Sequence, residues 1–281
     1  MILIIFFLLS ITLLIPIIFK KINIVILLLL SFYILIIGVL IFSDPKEIKD
    51  FLRRETETQI APVSLKKDKR EKKNEILNPK EKILIDAPVI QQFPELPRGC
   101  EVTSLGMFLQ YYDVKVDKME LANKVKKDKT PRSIKNEEIF WGNPNEGYIG
   151  DMYSYNNPGY GVYHKPVIEL AEKYLHGKIV NLTGSNFENL KLYLSNKRPI
   201  WIITNTTYKK LADTAFEKWK TPSGEVNITY KEHSVLITGY DQSFIYFNDP
   251  ISGDKNKKVP KDDFIKAWQQ MGSQAFSYKL N

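Results

Sequence analysis

The sequence is poor in the residues that build disulfides and metal sites. It has one cysteine, Cys100, and three histidines in 281 residues. A single cysteine excludes an internal disulfide framework. The histidines, His164, His176 and His233, are scattered and form no HExxH or other metal-ligand spacing, and no phosphate-binding GxxxxGK[ST] loop is present. The sequence therefore gives no reason to expect a metal or another cofactor.

The second part of the chain, residues 83–281, also lacks a large excess of basic residues. The formal net charge is +8, but residues 44–82 hold 12 Lys/Arg against 9 Asp/Glu, and residues 83–281 retain a net charge of only +3. This second part has no basic stripe and no zinc-finger spacing, so a nucleic-acid partner is not expected. The highly charged residues 44–82 are predicted to form a flexible, solvated tether.

Charge is nearly absent from the first 43 residues. Residues 1–19 and 22–42 are almost wholly apolar, and each run is about the length that a helix needs to cross a bilayer. We predict a membrane anchor of one or two transmembrane helices over residues 1–43, with a cleaved signal peptide as the competing interpretation. Lys20 and Lys21 between the runs favour an extracellular position for the rest of the chain, whereas the basic residues 46–54 favour the opposite orientation.

From residue 83 the pattern is that of one folded domain, 83–281. Helical periodicity or capping residues predict helices at about 100–112, 117–125, 166–177, 185–194 and 261–271. Runs rich in β-branched and aromatic residues predict strands at 83–85, 178–184, 199–208, 226–232, 233–240, 244–249 and 275–280. Helices followed by strands indicate an α+β fold, with a helical half packed on a mostly antiparallel sheet.

A long segment rich in glycine and aromatic residues, 141–164, separates the second and third helices. So long a loop within a compact domain is often functional. Trp141, Gly147, Gly150 and Asp151 are candidates for a cleft wall or lid, although no chemical role follows from their side chains.

Cys100 stands where the first long helix begins. The partial positive charge of a helix N-terminus is expected to lower the pKa of a thiol, as a nucleophile requires. The alternative is a small, buried apolar residue, which is the commoner role of a lone cysteine. A nucleophile also needs a base. His233 is the best candidate because it begins a strand that is expected to be buried, whereas His164 lies in the loop and His176 at a helix end.

Further polar residues could complete such a site. If residues 241 and 242 form a two-residue turn, His233 lies opposite about residue 250, near both Asn248 and Asp249, and either could orient the imidazole. Strand alternation permits only one of them on that face, and a bulge would reverse the choice. Gln91 or Gln92 could supply an amide to stabilise an oxyanion.

Four ordered motifs together resemble a known family. "QFPELPRGCEVTSLGMFLQYY", "WGNPNEGYIGDMY", "HSVLITGYD" and "YFNDP" are similar to the stand-alone branch of the C39-like cysteine peptidases, relatives of the bacteriocin-processing peptidases. The resemblance covers about residues 84–280. It implies a papain-like fold, with Cys100 as nucleophile, His233 as base, Asp249 as orienting acid and Gln92 in the oxyanion hole. The double-glycine substrates of the transporter-linked members are not implied, because this chain lacks their ATPase motif.

The sequence thus predicts a membrane-anchored cysteine peptidase, acting on a peptide or protein substrate at the outer face of a bacterial cell membrane. One alternative is a cysteine-dependent amidase or acyltransferase on the same fold. The other is a non-catalytic module that binds peptides in the cleft. Retention of the cysteine favours an enzyme.

Overall fold

The computed structural model describes residues 79–280 and, before them, Tyr33 alone. The predicted anchor and nearly all of the predicted tether lie outside the described residues. Among the residues that are described, no helix has both the length and the apolar composition to cross a bilayer.

The described domain contains five α-helices: α1 (Cys100–Tyr111), α2 (Lys118–Lys124), α3 (His164–Glu172), α4 (Phe187–Ser195) and α5 (Lys261–Gln270). Its strands are β1 (Ile83–Leu84), β2 (Lys127–Asp128), β3 (Ser133–Lys135), β4 (Glu138–Phe140), β5 (Tyr148–Ile149), β6 (Ile179–Asn181), β7 (Ile200–Asn205), β8 (Glu217–Thr221), β9 (Gly224–Ile228), β10 (Glu232–Tyr240), β11 (Phe244–Asn248), β12 (Lys257–Pro260) and β13 (Ala275–Tyr278). The mixed α+β class expected from the sequence is confirmed.

The principal sheet is antiparallel and has seven strands in the order β12-β11-β10-β7-β13-β6, with β1 paired to β10. A second sheet, β3-β4-β8-β9, and the parallel pair β2-β5 were not expected. Their strands are mostly two to five residues long, too short to give a clear alternation.

Alternating residues of the central strands serve two cores. Trp201, Ile203 and Leu236 pack in the cluster that contains the buried residues of α1 to α3. Ile202 and Val235 pack on the other face, with the buried residues of α4 and α5. The helices therefore cover both faces of the sheet, whereas the sequence predicted a single helical half.

The first helix is enclosed more completely than its periodicity predicts. Every residue from Cys100 to Leu109 is buried, including Glu101, Thr103 and Ser104. The sheet lies against one side of this helix, and α2, α3 and the loop before α3 lie against others. Polar residues of the first turn are consequently inside the protein, where they need partners.

Other helix boundaries differ by a few residues from expectation. Asp117 caps α2 as predicted, accepting a hydrogen bond from the Glu120 amide at 2.8 Å. The cap of α4 is Asn186 rather than Ser185, because the Asn186 side chain accepts from Asn189 N–H. Helix α3 begins at His164 and not at Pro166.

Candidate functional site

The first turn of α1 is held firmly against the central sheet. Ser104 Oγ donates to the carbonyl of Ser234 in β10 at 3.0 Å, and Trp201 Nε1 in β7 donates to the carbonyl of Glu101 at 3.0 Å. Cys100 is the first residue of this helix, and 7 % of its surface is exposed. Its backbone N–H belongs to the first turn, whose amides have no acceptor within the helix.

His233 and Asp249 form a buried pair. Nε2 of the imidazole lies 2.9 Å from Asp249 Oδ1, and the two side chains are 0 % and 1 % exposed. An ionised carboxylate only accepts hydrogen bonds, so Nε2 carries the proton and Nδ1 is the basic nitrogen of the neutral ring. Nδ1 is buried and has no hydrogen-bond partner among the described residues.

The Asp249 carboxylate is fixed by three further donors. Tyr208 Oη donates at 2.8 Å and Lys257 Nζ at 2.7 Å, both to Oδ2, and the Ile251 amide donates to Oδ1 at 3.0 Å. Burial alone would raise the pKa of Asp249. The hydrogen bond from His233, with the bonds from Lys257 and Tyr208, outweighs burial and holds the pKa of Asp249 far below its ordinary value.

Asn248 has a different set of partners. Its Nδ2 donates to the carbonyls of Ala87 at 3.1 Å and Pro88 at 2.8 Å, and its Oδ1 accepts from the Asn256 amide at 2.9 Å. These bonds fasten the segment after β1 to the end of β11. Of the two residues that the sequence left open on register grounds, only Asp249 contacts His233.

Gln92 is buried beside the same region, whereas Gln91 is exposed. The Gln92 amide N–H donates to the carbonyl of Pro250 at 2.8 Å, next to Asp249, and its Nε2 donates to the carbonyl of Pro97 at 2.8 Å. Gln92 Oε1 is buried without a partner among the described residues. Gln92 thus links the loop after Asp249 to the loop that precedes Cys100.

The surroundings of the thiol contradict one expectation from the sequence. The pKa of Cys100 is raised well above its ordinary value, first by burial and then by the negative charges of Glu101 and Glu232. A hydrogen bond from the Ser234 backbone acts in the opposite direction but is weaker. The helix N-terminus was expected to lower this pKa. Burial of the sulfur, and then two neighbouring carboxylates that were not anticipated, outweigh that effect.

The candidate cleft or lid residues of the 141–164 segment have packing contacts. Trp141 is buried, with its ring centroid 5.3 Å from that of Trp219. Gly147 and Gly150 lie where a Cβ would collide with the backbone of Asp128 and Pro158 respectively. Asp151 organises its own turn, and its carbonyl accepts a hydrogen bond from Arg98 Nη1 at 3.2 Å, which places this loop beside the start of α1.

The remaining histidines lie elsewhere. His164 Nδ1 is 2.9 Å from Gln274 Oε1, and His176 is exposed. The residues that sequence reasoning missed are Glu101, Tyr208, Glu232 and Lys257. Glu101 and Glu232 adjoin Cys100 and His233 in the sequence, but nothing local indicates that both acids lie beside the thiol. Tyr208 and Lys257 carried no signal either, because their approach to Asp249 depends on tertiary structure.

Comparisons with known proteins identify the family of this chain. Residues 84–276 match the Peptidase C39 like family. YvpB of Bacillus subtilis (strain 168), an uncharacterised protein, is 43% identical over 182 residues, which cover 65% of this chain and 69% of YvpB. A crystal structure from Bacillus anthracis, of a protein assigned to the C39-like peptidases, is 47% identical with a TM-score of 0.67. It covers 72% of this chain and 99% of its own. This chain belongs to the C39-like peptidase family.

Proposed function

We propose that the protein is a cysteine peptidase in which Cys100 is the nucleophile, His233 the base and Asp249 the orienting acid. The observation that carries the proposal is the tautomer imposed by the His233–Asp249 bond. Asp249 accepts the proton-bearing Nε2, so the unpartnered Nδ1 is free to take the thiol proton.

The proposed reaction proceeds through an acyl-enzyme. The Cys100 proton moves to His233 Nδ1, and the thiolate attacks a peptide carbonyl to give a tetrahedral oxyanion. Collapse of this intermediate breaks the C–N bond, the imidazolium gives its proton to the leaving amine, and a thioester with Cys100 remains. Water, deprotonated by Nδ1, then hydrolyses the thioester to a carboxylate and the free thiol.

We assign Gln92 and the Cys100 backbone N–H to the oxyanion. A first-turn amide without an intrahelical acceptor can donate to a developing negative charge. Gln92 Nε2 has two N–H groups, and one of them is bonded to Pro97, so the second is available. The bond from the Gln92 backbone N–H to the Pro250 carbonyl would hold the Gln92 side-chain amide at a fixed position relative to Asp249.

The rest of the proposal rests on sequence outside the described residues. The apolar residues 1–43 would anchor the protein in the cell membrane, and residues 44–82 would connect the anchor to the peptidase domain, 83–281. The proposed location of the domain is extracellular, where its substrate would be a secreted or wall-associated peptide.

A peptide library in H₂¹⁸O tests the reaction class. The full chain in detergent is incubated with a mixture of peptides of diverse sequence, and the products are identified by mass spectrometry. The proposal predicts new C-termini that carry ¹⁸O, absent with Cys100→Ala and His233→Ala and retained with Ser243→Ala, a variant in an exposed turn.

Other results of the same experiment would favour the alternatives. New amide bonds without ¹⁸O would identify an acyltransferase. Peptide binding with no turnover by the intact protein would identify a binding module, and cleavage that persists in Cys100→Ala would contradict the proposed nucleophile.

A further inference from the structure

Two buried carboxylates lie against the nucleophile, and the chemistry proposed above does not use them. Cys100 Sγ, a carboxylate oxygen of Glu101 and a carboxylate oxygen of Glu232 all lie within 4.8 Å of one another. The thiol donates to Glu101 Oε2 at 3.3 Å. His233 Nδ1, by contrast, has no partner among the described residues, so the thiol is bonded to Glu101 and not to the base.

Strand alternation explains why Glu232 rather than His233 faces the thiol. Leu236 of β10 lies on the α1 side of the sheet, and Val235 lies on the opposite side. Residues two apart share a face, so Glu232 belongs to the α1 side while His233 faces Tyr208 across the other.

The loop before α3 closes the site around the two acids. The Val162 amide donates to Glu101 Oε1 at 2.6 Å. A Cβ on Gly161 would lie 2.4 Å from Glu101 Oε1 and 3.1 Å from Glu232 Oε2, so only glycine lets the backbone pass this closely. The glycine-rich segment thereby gains a role that its sequence did not reveal.

No basic side chain of the described domain pairs with the two acids. Among residues 79–280, neither Glu101 nor Glu232 has a lysine, arginine or histidine within ion-pair distance, and Glu232 Oε1 is buried without a partner. The titratable groups that interact with both acids are Cys100 on α1 and Tyr148, Tyr160 and Tyr163 of the 141–164 segment. Arg98 lies near Tyr148, and His233 follows Glu232 on β10. Two adjacent carboxyls in such a place retain a proton between them.

We infer that Glu101 is a positioning residue that, together with Glu232, holds Cys100 as a neutral thiol turned away from His233 in the resting protein. This inference deepens the proposed function and rests on it, since the hold matters to catalysis only if Cys100 is the nucleophile. The thiol must leave Glu101 before His233 Nδ1 can accept its proton. The pKa of Glu101 is raised to about 7 by burial, and that of Glu232 is raised well above its ordinary value by burial and by Glu101.

Titration of the thiol tests the inference without any substrate. The alkylation rate with iodoacetamide is measured against pH by intact mass, and every thiol adduct reports on Cys100 because the chain has no other cysteine. Glu101→Gln and Glu232→Gln each remove one of the two carboxyls whose ionisation opposes a negative charge on the sulfur, with little change of shape. Each is expected to lower the midpoint by about one pH unit or more. Glu146→Gln, an exposed acid of the same loop, should leave the midpoint unchanged.

The histidine variant separates this inference from the proposed function. His233→Ala is expected to abolish peptide turnover and to leave the alkylation midpoint nearly unchanged, because Nδ1 does not bond the resting thiol. An unchanged midpoint in both glutamine variants would overturn the inference. So would a wild-type thiol that titrates well below an ordinary one and loses this property with His233→Ala, a result that would still support Cys100 as the nucleophile.

Discussion

His233 Nε2 lies 2.9 Å from Asp249 Oδ1, while Nδ1 on the other side of the ring has no partner among the described residues. This asymmetry fixes which nitrogen carries the proton and which is basic. Asp249 lies past the last residue of β11, beyond the ladder that pairs β11 with β10. There the Asp249 amide donates to the Asp254 carbonyl at 3.0 Å, closing the turn that presents the carboxylate.

Substitution of Asp249 is predicted to affect catalysis, and substitution of its neighbour Asn248 is predicted to affect stability. Asp249→Asn should lower peptide turnover by about 10³- to 10⁴-fold, because a side-chain amide can turn either its oxygen or its NH₂ group toward Nε2 and no longer imposes the Nε2–H tautomer. Asn248→Ala should instead lower the free energy of unfolding by about 3 kcal/mol, because it removes the bonds to Ala87, Pro88 and Asn256. Steady-state kinetics and urea unfolding measure the two effects.

The contrast between the two variants is the control. Turnover per folded molecule should stay near the wild-type value in Asn248→Ala. A larger loss of turnover in Asn248→Ala than in Asp249→Asn would contradict the assignment of the orienting role to Asp249.

The two side chains that donate to Asp249 Oδ2 are predicted to contribute unequally to the free energy of unfolding. Tyr208→Phe removes a buried hydrogen bond to a carboxylate and should cost about 2 kcal/mol of unfolding free energy. Lys257→Met should cost about 1 kcal/mol or less, because the lysine side chain is 32% exposed and its ion pair is screened by water. Urea unfolding at pH 7 gives both values, and the reverse order would contradict this account of the Asp249 site.

The stability of the protein should fall as pH rises through neutrality. A carboxyl with a raised folded-state pKa contributes stability that is complete below its unfolded pKa of about 4.3. For Glu101 that contribution is lost as pH rises through about 7, and Glu232 acts in the same direction. Glu101→Gln should flatten the fall measured by denaturant unfolding from pH 5 to 8. If the unfolding free energies of Glu101→Gln and Glu146→Gln fall equally with pH, Glu101 is not the cause of the fall.

Asp249 predicts the opposite behaviour in acid. Its folded-state pKa is lowered, so its contribution is present above an unfolded pKa of about 3.9 and is lost as pH falls below it. Wild-type unfolding free energy should therefore drop more steeply below about pH 4 than that of Asp249→Asn. Parallel acid-unfolding curves would show that Asp249 is not the group responsible.

Two glycine substitutions should give unlike results. Gly161→Ala forces a methyl group against Glu101 Oε1, so we expect lost stability and an altered thiol titration. Gly106→Ala, within α1, meets only the flexible ends of Ile90 at 3.2 Å and Leu121 at 3.5 Å and gains helix propensity, so stability should change by about 1 kcal/mol or less. Thermal unfolding and alkylation of both variants distinguish a local effect on the acids from general overpacking.

Much of the domain could be predicted because local patterns and tertiary structure agree. Helix α1 and strand β10 were both placed to within a residue, since each is long and its pattern is continuous. The hairpin after β10 was predicted less well. It has a bulge between Ile237 and Gly239 and a three-residue connection, 241–243, instead of a two-residue turn. Such irregularities decide the choice between Asn248 and Asp249, and they leave no clear sign in a single sequence.

The acid pair was beyond sequence reasoning for a different reason. A charged residue in a helix is normally exposed, and nothing local shows that the 141–164 segment folds over the first turn of α1. The burial of Glu101 follows from the Val162 contact across 61 residues of chain. The expectation that the helix N-terminus lowers the thiol pKa was wrong because this burial was not predicted.

The most direct test of the central claim is to trap the acyl-enzyme. The full chain is mixed with a peptide that it cleaves, and the reaction is quenched with acid during turnover. The protein is then digested, and its modified residue is located by mass spectrometry. The account predicts that the acyl part of the peptide is joined to Cys100 as a thioester, and that both the adduct and turnover are absent in Cys100→Ala. An adduct on another residue, or turnover that survives in Cys100→Ala, would contradict it.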